Sequence, residues 1–572
     1  MAERMDLTVK EIAEACGGVL VLQDEKIKGD TCVSSVVIDS RAVEPGGVFV
    51  ATVGERVDGH RFIPDVFGKG AALVVTQKRP EQVEAEQGCK ASEWGCYVLV
   101  EDTLQALKEI AEAYRKKLSV KVVGITGSVG KTSTKEFIAG VLAEKYRVLK
   151  TEGNLNNEIG VPLTLLRIRS EHQVAVVEMG ISDFGEMHRL SKMARPDICV
   201  MTNIGQSHLN NLIDRDGILR AKSEIFDYMA PDGEICLNGE DDKLNVLKEI
   251  KGHRPHFFGL GSSPAQEAAA VDIVSRGLWG SDAMLRLRRK MGGIPAENSD
   301  DMEFPGESLD TGEFSGENSD AGKLSGESRY TEELSAGCVR GETSSEESGK
   351  LPTGIGSDEE RIPGSKAEGA GRWEEETIEI HVPQPGRHMV LNAAAAACVA
   401  MVLGLAAEQI AAGIAKVAPV SGRTNIISQG EDTIIDDCYN ANPASMKAAI
   451  ELLSLADTEK VAILGDMLNL GENSDRYHAQ IGTCAAQAGI GHILCVGEAS
   501  RHMYQAALET SESRKQKGLP ASSVSHYGDR KELLKILAAD RKALIPGGST
   551  ILIKASHDMG FAEILEFLQK AE

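Results

Sequence analysis

The chain has 572 residues, 42% of them hydrophobic and 26% charged; this suits a globular protein of about three ordinary domains and excludes a disordered or fibrous one. Its formal net charge of −24 disfavours a nucleic-acid partner, because phosphate backbones need basic stripes, and residues 291–375 alone hold 21 acids against 7 bases. The eleven cysteines include no Cys-x-x-Cys pair and read as reduced thiols, which excludes a disulfide frame and points to the cytoplasm.

In chain order, residues 1–118 mix short apolar runs ("VSSVVID", "GGVFVAT", "AALVVTQ", "CYVLVED") with amphipathic stretches, as a small α/β domain does. The opening "MAERMDLTVKEIAEACGGVL" is broken by charge every few residues and lacks the apolar core of a signal peptide. The next apolar strand leads into "VVGITGSVGKTSTK" (122–135). The strict phosphate-loop spacing is a Gly, four residues, then Gly-Lys-Ser/Thr. Here Gly130, Lys131 and Thr132 are in place, but Ile125 stands where the first Gly belongs, and the preceding glycines fall at 124 and 127. The context still fits a nucleotide: a buried strand, a glycine turn, then a helix opened by Lys131, whose first N–H groups are free to meet a phosphate. The residues expected around ATP are Gly127, Ser128, Val129, Gly130, Lys131, Thr132 and Ser133; Lys131 supplies charge near the transferred phosphoryl group and the Thr132 hydroxyl suits Mg²⁺.

The apolar runs "VAVVEMG" and "ICVMTNIG" predict central parallel strands covered by helices on both faces. "SDAMLRLRR" and "ETIEIHVP" alternate like two strands of a hairpin, so residues 291–375 lengthen a surface turn between them. That segment carries a decaying ten-residue repeat ("EFPGES" at 303, "EFSGEN" at 313, "KLSGES" at 323), and its few apolar residues predict a disordered acidic insertion. "AAAAACVAMVLGLAA" is too short to span a membrane and predicts a buried helix. Past "KVAPVSGR" the parallel pattern returns in "VAILGDM", "HILCVG" and "STILIKA".

Several motifs together resemble those of the Mur ligases, the ATP-dependent amide-forming enzymes of bacterial cell-wall synthesis: "TGSVGKTSTK", "GNLNNEIG", "VVEMGISDFGEMHRL", "TNIGQSHL", "AKSEIF", "LNAAAAA", "SGRTN" and "DDCYNANPASM". The resemblance covers everything except the insertion. It implies three domains, 1–118 binding the UDP substrate, 119–418 a central P-loop ATPase-like parallel sheet, and 419–572 a Rossmann-like ligand-binding domain. The last motif resembles the branch of the family that adds D-alanyl-D-alanine to the UDP-linked muramoyl tripeptide. Another Mur ligase, a folylpolyglutamate synthetase-like ligase and a non-catalytic nucleotide-binding paralogue remain as alternatives. The expected partners are these small molecules, with no nucleic acid and no membrane span, and the expected state is a monomer.

The resemblance also implies roles. Glu178 and His208, in two consecutive strand-end loops, are carried over as Mg²⁺ ligands together with Thr132. Lys222 in "AKSEIF" corresponds to a lysine that CO₂ can carbamylate, turning a cation into an anion that can help hold the metal. Lys131, Lys222 and His208 are thereby the expected catalytic residues. Asn154, Asn157 and Glu158 are expected to line the sugar-peptide pocket, and Ser40 and Arg41 to contact UDP. Asn392 is expected at adenine, Arg423 at the ATP phosphates, Asp437 near ribose and Asn440 near the dipeptide. One position departs from the family: "KASHDMGF" has His557 where the family has Arg, and an imidazole cannot make a bidentate guanidinium contact.

Overall fold

The computed structural model describes residues 5–54, 57–88, 90–205, 209–261, 263–290 and 373–570. Three sheets, of five, nine and six strands, organise these residues.

The five-stranded sheet uses strands between Val19 and Leu99. Three of its neighbour pairs are parallel, and the edge strand Val19–Val21 runs antiparallel to Tyr97–Leu99. That edge strand has no counterpart among the apolar runs picked out from the sequence, because it is three residues long and exposed at Val19. The helix Thr103–Lys117, capped by the Asp102 carboxylate on the N–H groups of Leu104 and Gln105, leads from this sheet to the next.

In the nine-stranded sheet Lys121–Thr126 lies between Val174–Glu178 and Ile198–Met201, parallel to both. Chain order and spatial order part company there, and at such a switch point the loops after neighbouring strands diverge and leave a crevice at the carboxyl ends. Register places Ile125 opposite Glu178 and Thr126 opposite Met201, so the loop after Thr126 emerges beside the Glu178 carboxylate. All five residues of Val174–Glu178 are buried, as a central parallel strand requires. The expected hairpin strands appear as Ser281–Lys290 and Trp373–Val382, neighbours at one end of the sheet. Trp373, Glu374 and Glu375 therefore belong to a strand and not to the insertion; the rest of that segment, 291–372, lies outside the described residues.

The alanine-rich stretch forms the helix Arg387–Val402, with Ala393 to Ala397 all at zero exposure. It packs in one apolar cluster with Phe137, Ile138 and Val141 of the helix Lys131–Leu142 and with Val123 and Val200 of the sheet. Side chains of one methyl let that helix lie close to its neighbours, and each buried valine beneath it contributes about 1.5–3 kcal/mol. No helix among the described residues is long and apolar enough to cross a membrane.

The six-stranded sheet begins with the antiparallel pair Asn425–Gln429 and Asp432–Asp436 and continues in parallel through Thr550–Lys554, Lys460–Gly465, His492–Val496 and Ser523–Tyr527.

Candidate active site

Gly127 has φ 149°, and a Cβ there would lie 1.9 Å from Thr202 Oγ1, so only glycine lets the loop pass this close to the neighbouring strand end. Asn203, one residue further on, accepts the N–H groups of Ser128 and Val129 on its side-chain oxygen at 3.1 and 2.9 Å. Thr202 Oγ1 donates to the Val129 carbonyl at 2.6 Å. The loop is thus shaped by the next strand over, and Ile125, where the strict spacing has a glycine, is still inside the buried strand Lys121–Thr126. Gly130, left-handed at φ 83°, turns the chain into the helix Lys131–Leu142.

The first helical turn carries the charge. Lys131 Nζ donates to the Gly127 carbonyl at 2.8 Å, folding over its own loop. Burial pushes its pKa down, Glu178 opposes that shift, and the positive charge of Arg423 adds to it. Thr132 Oγ1 donates to both carboxylate oxygens of Glu178, at 3.1 and 2.9 Å. Asn156 Nδ2 donates to Glu178 Oε1 at 2.8 Å, and the ammonium of Lys135, one turn after Lys131, lies 3.8 Å from Oε2. Glu178 and Lys135 are each 1% exposed, so this cluster is a buried charge arrangement and not a surface ion pair. Lys222, on the helix Arg215–Ser223, is 2% exposed and has no hydrogen-bond or ion-pair partner among the described residues. Burial first, and the charge of Lys131 second, push its pKa well down.

A cleft of about 840 Å³ joins Lys131, Thr132, Asn156 and Glu178 to the six-stranded sheet. Of the residues singled out in the sequence, Ser128, Val129, Gly130, Lys131, Thr132, Ser133, Asn157, Glu158, Glu178, Asn392, Arg423, Asp437 and Asn440 line it. Gly127 shapes the loop behind it. Asn392 accepts from Thr134 Oγ1 at 3.1 Å, which ties the alanine helix to the phosphate-loop helix. Asn157 uses its side-chain oxygen to cap the N–H groups of Ile159 and Gly160. Glu158 is held by Arg189 at 2.5 Å and Lys108 at 3.0 Å, and Arg189, ahead of burial and Lys108, sets the direction of its lowered pKa.

Asn154, Ser40, Arg41 and Lys222 are not among the residues lining the cleft. Asn154 is exposed. Ser40 and Arg41 open a short turn in which Arg41, 88% exposed, pairs with Asp39 and draws that carboxyl down to about 2. His208 lies outside the described residues. Sequence reasoning missed Lys135, Asn156, Asn203 and Lys554. Lys135 and Asn156 sat inside quoted motifs, at helical spacing from Lys131 and beside Asn157, and those positions were the available signal. Asn203 and Lys554 also stand in such motifs, "TNIGQSHL" and "KASHDMGF", but they act across strands, and nothing local marks those roles.

Three family models match the chain: "Mur ligase family, catalytic domain" over residues 33–115, "Mur ligase middle domain" over 125–286 and "Mur ligase, glutamate ligase domain" over 422–557. The UDP-N-acetylmuramoyl-tripeptide–D-alanyl-D-alanine ligase of Bacillus subtilis is 30% identical over 565 residues, covering 98% of each chain. The enzyme of the same name from Escherichia coli is 29% identical, covering 96% of this chain and 97% of its own. Among solved structures, MurF from Acinetobacter baumannii superposes with a TM-score of 0.71 at 26% identity over 99% of both chains. MurF ligase from Thermotoga maritima in complex with ADP shares the fold, with a TM-score of 0.64 at 23% identity over 94% of this chain and 97% of its own.

Proposed function

The chain belongs to the Mur ligase family, and from that premise we propose how its cleft carries out the reaction. The protein is an ATP-dependent carbon–nitrogen ligase that joins D-alanyl-D-alanine to UDP-N-acetylmuramoyl-tripeptide in peptidoglycan precursor synthesis. The observation that carries this reading is one cleft lined both by Lys131, Thr132 and Glu178 of the phosphate-loop sheet and by Arg423, Asp437 and Asn440 at the near end of the six-stranded sheet.

A carboxylate resists attack by an amine, so it is first activated. A terminal carboxylate oxygen of the tripeptide attacks the γ-phosphorus of ATP, the bond to the β-phosphate oxygen breaks, and ADP leaves with an acyl phosphate in place. The amine of D-alanyl-D-alanine then adds to the acyl carbon, and the tetrahedral intermediate expels inorganic phosphate and loses a proton. The first half is chiefly positioning and charge neutralisation. Loop N–H groups and Lys131 receive the ATP phosphates, with Arg423 contributing a guanidinium from the other sheet. Asn392 is assigned to adenine, Asp437 to ribose and Asn440 to the dipeptide. Asn154, Asn157 and Glu158 are assigned to the sugar-peptide, and Ser40 and Arg41 to UDP.

Thr132 Oγ1 and the Glu178 carboxylate, buried and within 3.1 Å of each other, are a hard-oxygen pair that fits Mg²⁺. Thr132, Glu178 and His208 would hold the ion, which when bound neutralises charge on the phosphates. Lys222 fits carbamylation for a physical reason: only an unprotonated amine adds to CO₂, and burial, with the charge of Lys131, pushes this amine's pKa toward that form. The product is an anion that would help hold the metal, which an ammonium would repel.

The test is ATP hydrolysis by the full chain with UDP-muramoyl tripeptide and D-alanyl-D-alanine, against glutamate, diaminopimelate and folate substrates. Turnover only with the first pair, with an acyl phosphate trapped on the tripeptide, is expected. Equal turnover on another pair would overturn the substrate assignment.

A further inference from the structure

The strand Thr550–Lys554 lies inside the six-stranded sheet and ends on a lysine whose side chain is 2% exposed. A buried ammonium needs acceptors. Lys554 Nζ donates to Asp437 Oδ2 at 2.7 Å, to the Asn440 carbonyl at 2.9 Å and to the Asp437 carbonyl at 3.4 Å. The other oxygen of Asp437 accepts the N–H of Thr424 at 3.1 Å.

Thr424 is unusual. It is β-branched, 7% exposed and left-handed at φ 53°, a conformation such residues avoid. Two residues earlier, the Gly422 N–H donates to Asp436 Oδ2 at 2.7 Å, and the Tyr439 N–H donates back to the Gly422 carbonyl at 3.0 Å. Between these anchored positions sits Arg423, its guanidinium 4.1 Å from the centre of the Tyr439 ring, on the wall of the cleft that also holds Lys131. A strained backbone persists only where its surroundings over-determine it, and here those surroundings are two adjacent aspartates, one of them locked by Lys554.

We propose that Lys554 is a positioning residue for nucleotide binding: through Asp437 it holds Thr424 in its left-handed conformation and so keeps Arg423 turned into the cleft. The proposal rests on the ligase reading, in which Arg423 meets the ATP phosphates. A methionine would fill the same volume without burying a charge, so packing alone does not call for a lysine here.

The experiment is calorimetric binding of Mg·ADP to the full chain. Lys554→Met is expected to weaken ADP by about tenfold, a loss comparable to that of Arg423→Ala, and the double variant to be no weaker than Arg423→Ala alone, because the two act as one unit. Adding Thr424→Gly to Lys554→Met is expected to recover most of the affinity, since glycine takes the left-handed conformation unaided. Unchanged ADP affinity in a folded Lys554→Met, or losses that add with Arg423→Ala, would overturn the proposal. Should Lys554→Met not fold, Thr424→Pro decides, for it removes the N–H and forbids a positive φ without touching the buried lysine. Unchanged affinity in that variant is equally fatal. If the wild-type chain binds no ADP, the ligase reading itself falls and takes the proposal with it.

Discussion

Thr132 and Glu178 are 46 residues apart in the chain, yet the threonine hydroxyl meets the carboxylate at 2.9 Å. The contact exists because the strands ending at Thr126 and Glu178 are parallel neighbours in register, so the phosphate-loop helix starts beside the next strand's last side chain. Glu178→Gln keeps the shape of this pair and removes its charge. Ligase activity is expected to fall by about a hundredfold or more, with a higher Mg²⁺ requirement; the melting temperature is expected to fall as well, because the buried ammonium of Lys135 loses a charged partner. Activity within a few-fold of wild type at low Mg²⁺ would count against the assignment.

Lys222 separates stability from function. Its folded pKa lies well below that of an unfolded lysine, so the unfolded chain binds the extra proton and stability falls as pH drops through that interval. Lys222→Met is therefore expected to raise the melting temperature, increasingly so at lower pH, while abolishing ligation. In Lys222→Ala, bicarbonate or short-chain carboxylic acids are expected to restore part of the activity. Thermal melts across pH and a rescue assay check both halves.

His256 titrates the other way. Burial disfavours its charge, but Glu234 at 3.0 Å and Glu267 overcome that and push it up to about 10. An unfolded histidine titrates near pH ~6.5. The stabilisation is thus fully present below that value, declines as pH rises and is gone near the folded value of about 10. The stability difference between wild type and His256→Gln, measured by denaturant unfolding, is expected to shrink steadily from pH 6 to pH 10. A difference independent of pH would refute the ion-pair account.

His557 is exposed, and its ring lies 5.3 Å from that of Tyr439, the ring on which the Arg423 guanidinium stacks. An added guanidinium there meets no buried surface. His557→Arg is expected to preserve or raise turnover with D-alanyl-D-alanine. A large loss of kcat/KM for the dipeptide would show that the imidazole has a role of its own.

Removing residues 291–372 and joining Lys290 to Trp373 through a short glycine-containing turn is expected to leave ligase activity near wild type. The two strands are already neighbours and lie at one end of the sheet. The cut stops at 372, since Trp373 packs under Arg288 and Arg254 and is part of the strand. A loss of more than about tenfold in kcat would show that the segment serves the reaction.

What the sequence revealed follows the range of each interaction. The phosphate loop was legible because strand, glycine turn and Gly-Lys-Thr are contiguous, and Glu178 because a charge closing an apolar run marks a strand's end. The buried alanine helix was legible from composition alone. Lys554 and Asn203 stand in the motifs "KASHDMGF" and "TNIGQSHL", yet their roles were not legible, since each matters only once a distant strand is placed beside it. Lys554 reaches Asp437 and Asn440 because Asp432–Asp436 and Thr550–Lys554 pair, and no local pattern announces that pairing. The edge strand Val19–Val21 escaped notice because three half-exposed residues carry no periodicity.

With Ser281–Lys290 and Trp373–Val382 held side by side, the sheet has already met most of the entropic cost of bringing a connector's ends together. Lengthening such a connector costs only about 0.6 kcal/mol per doubling. A tandem duplication arising there meets almost no resistance from the fold, so this corner of the enzyme can record replication accidents that selection has no mechanical reason to erase. For the same reason it is a natural port at which a tag or reporter domain can be spliced into the chain.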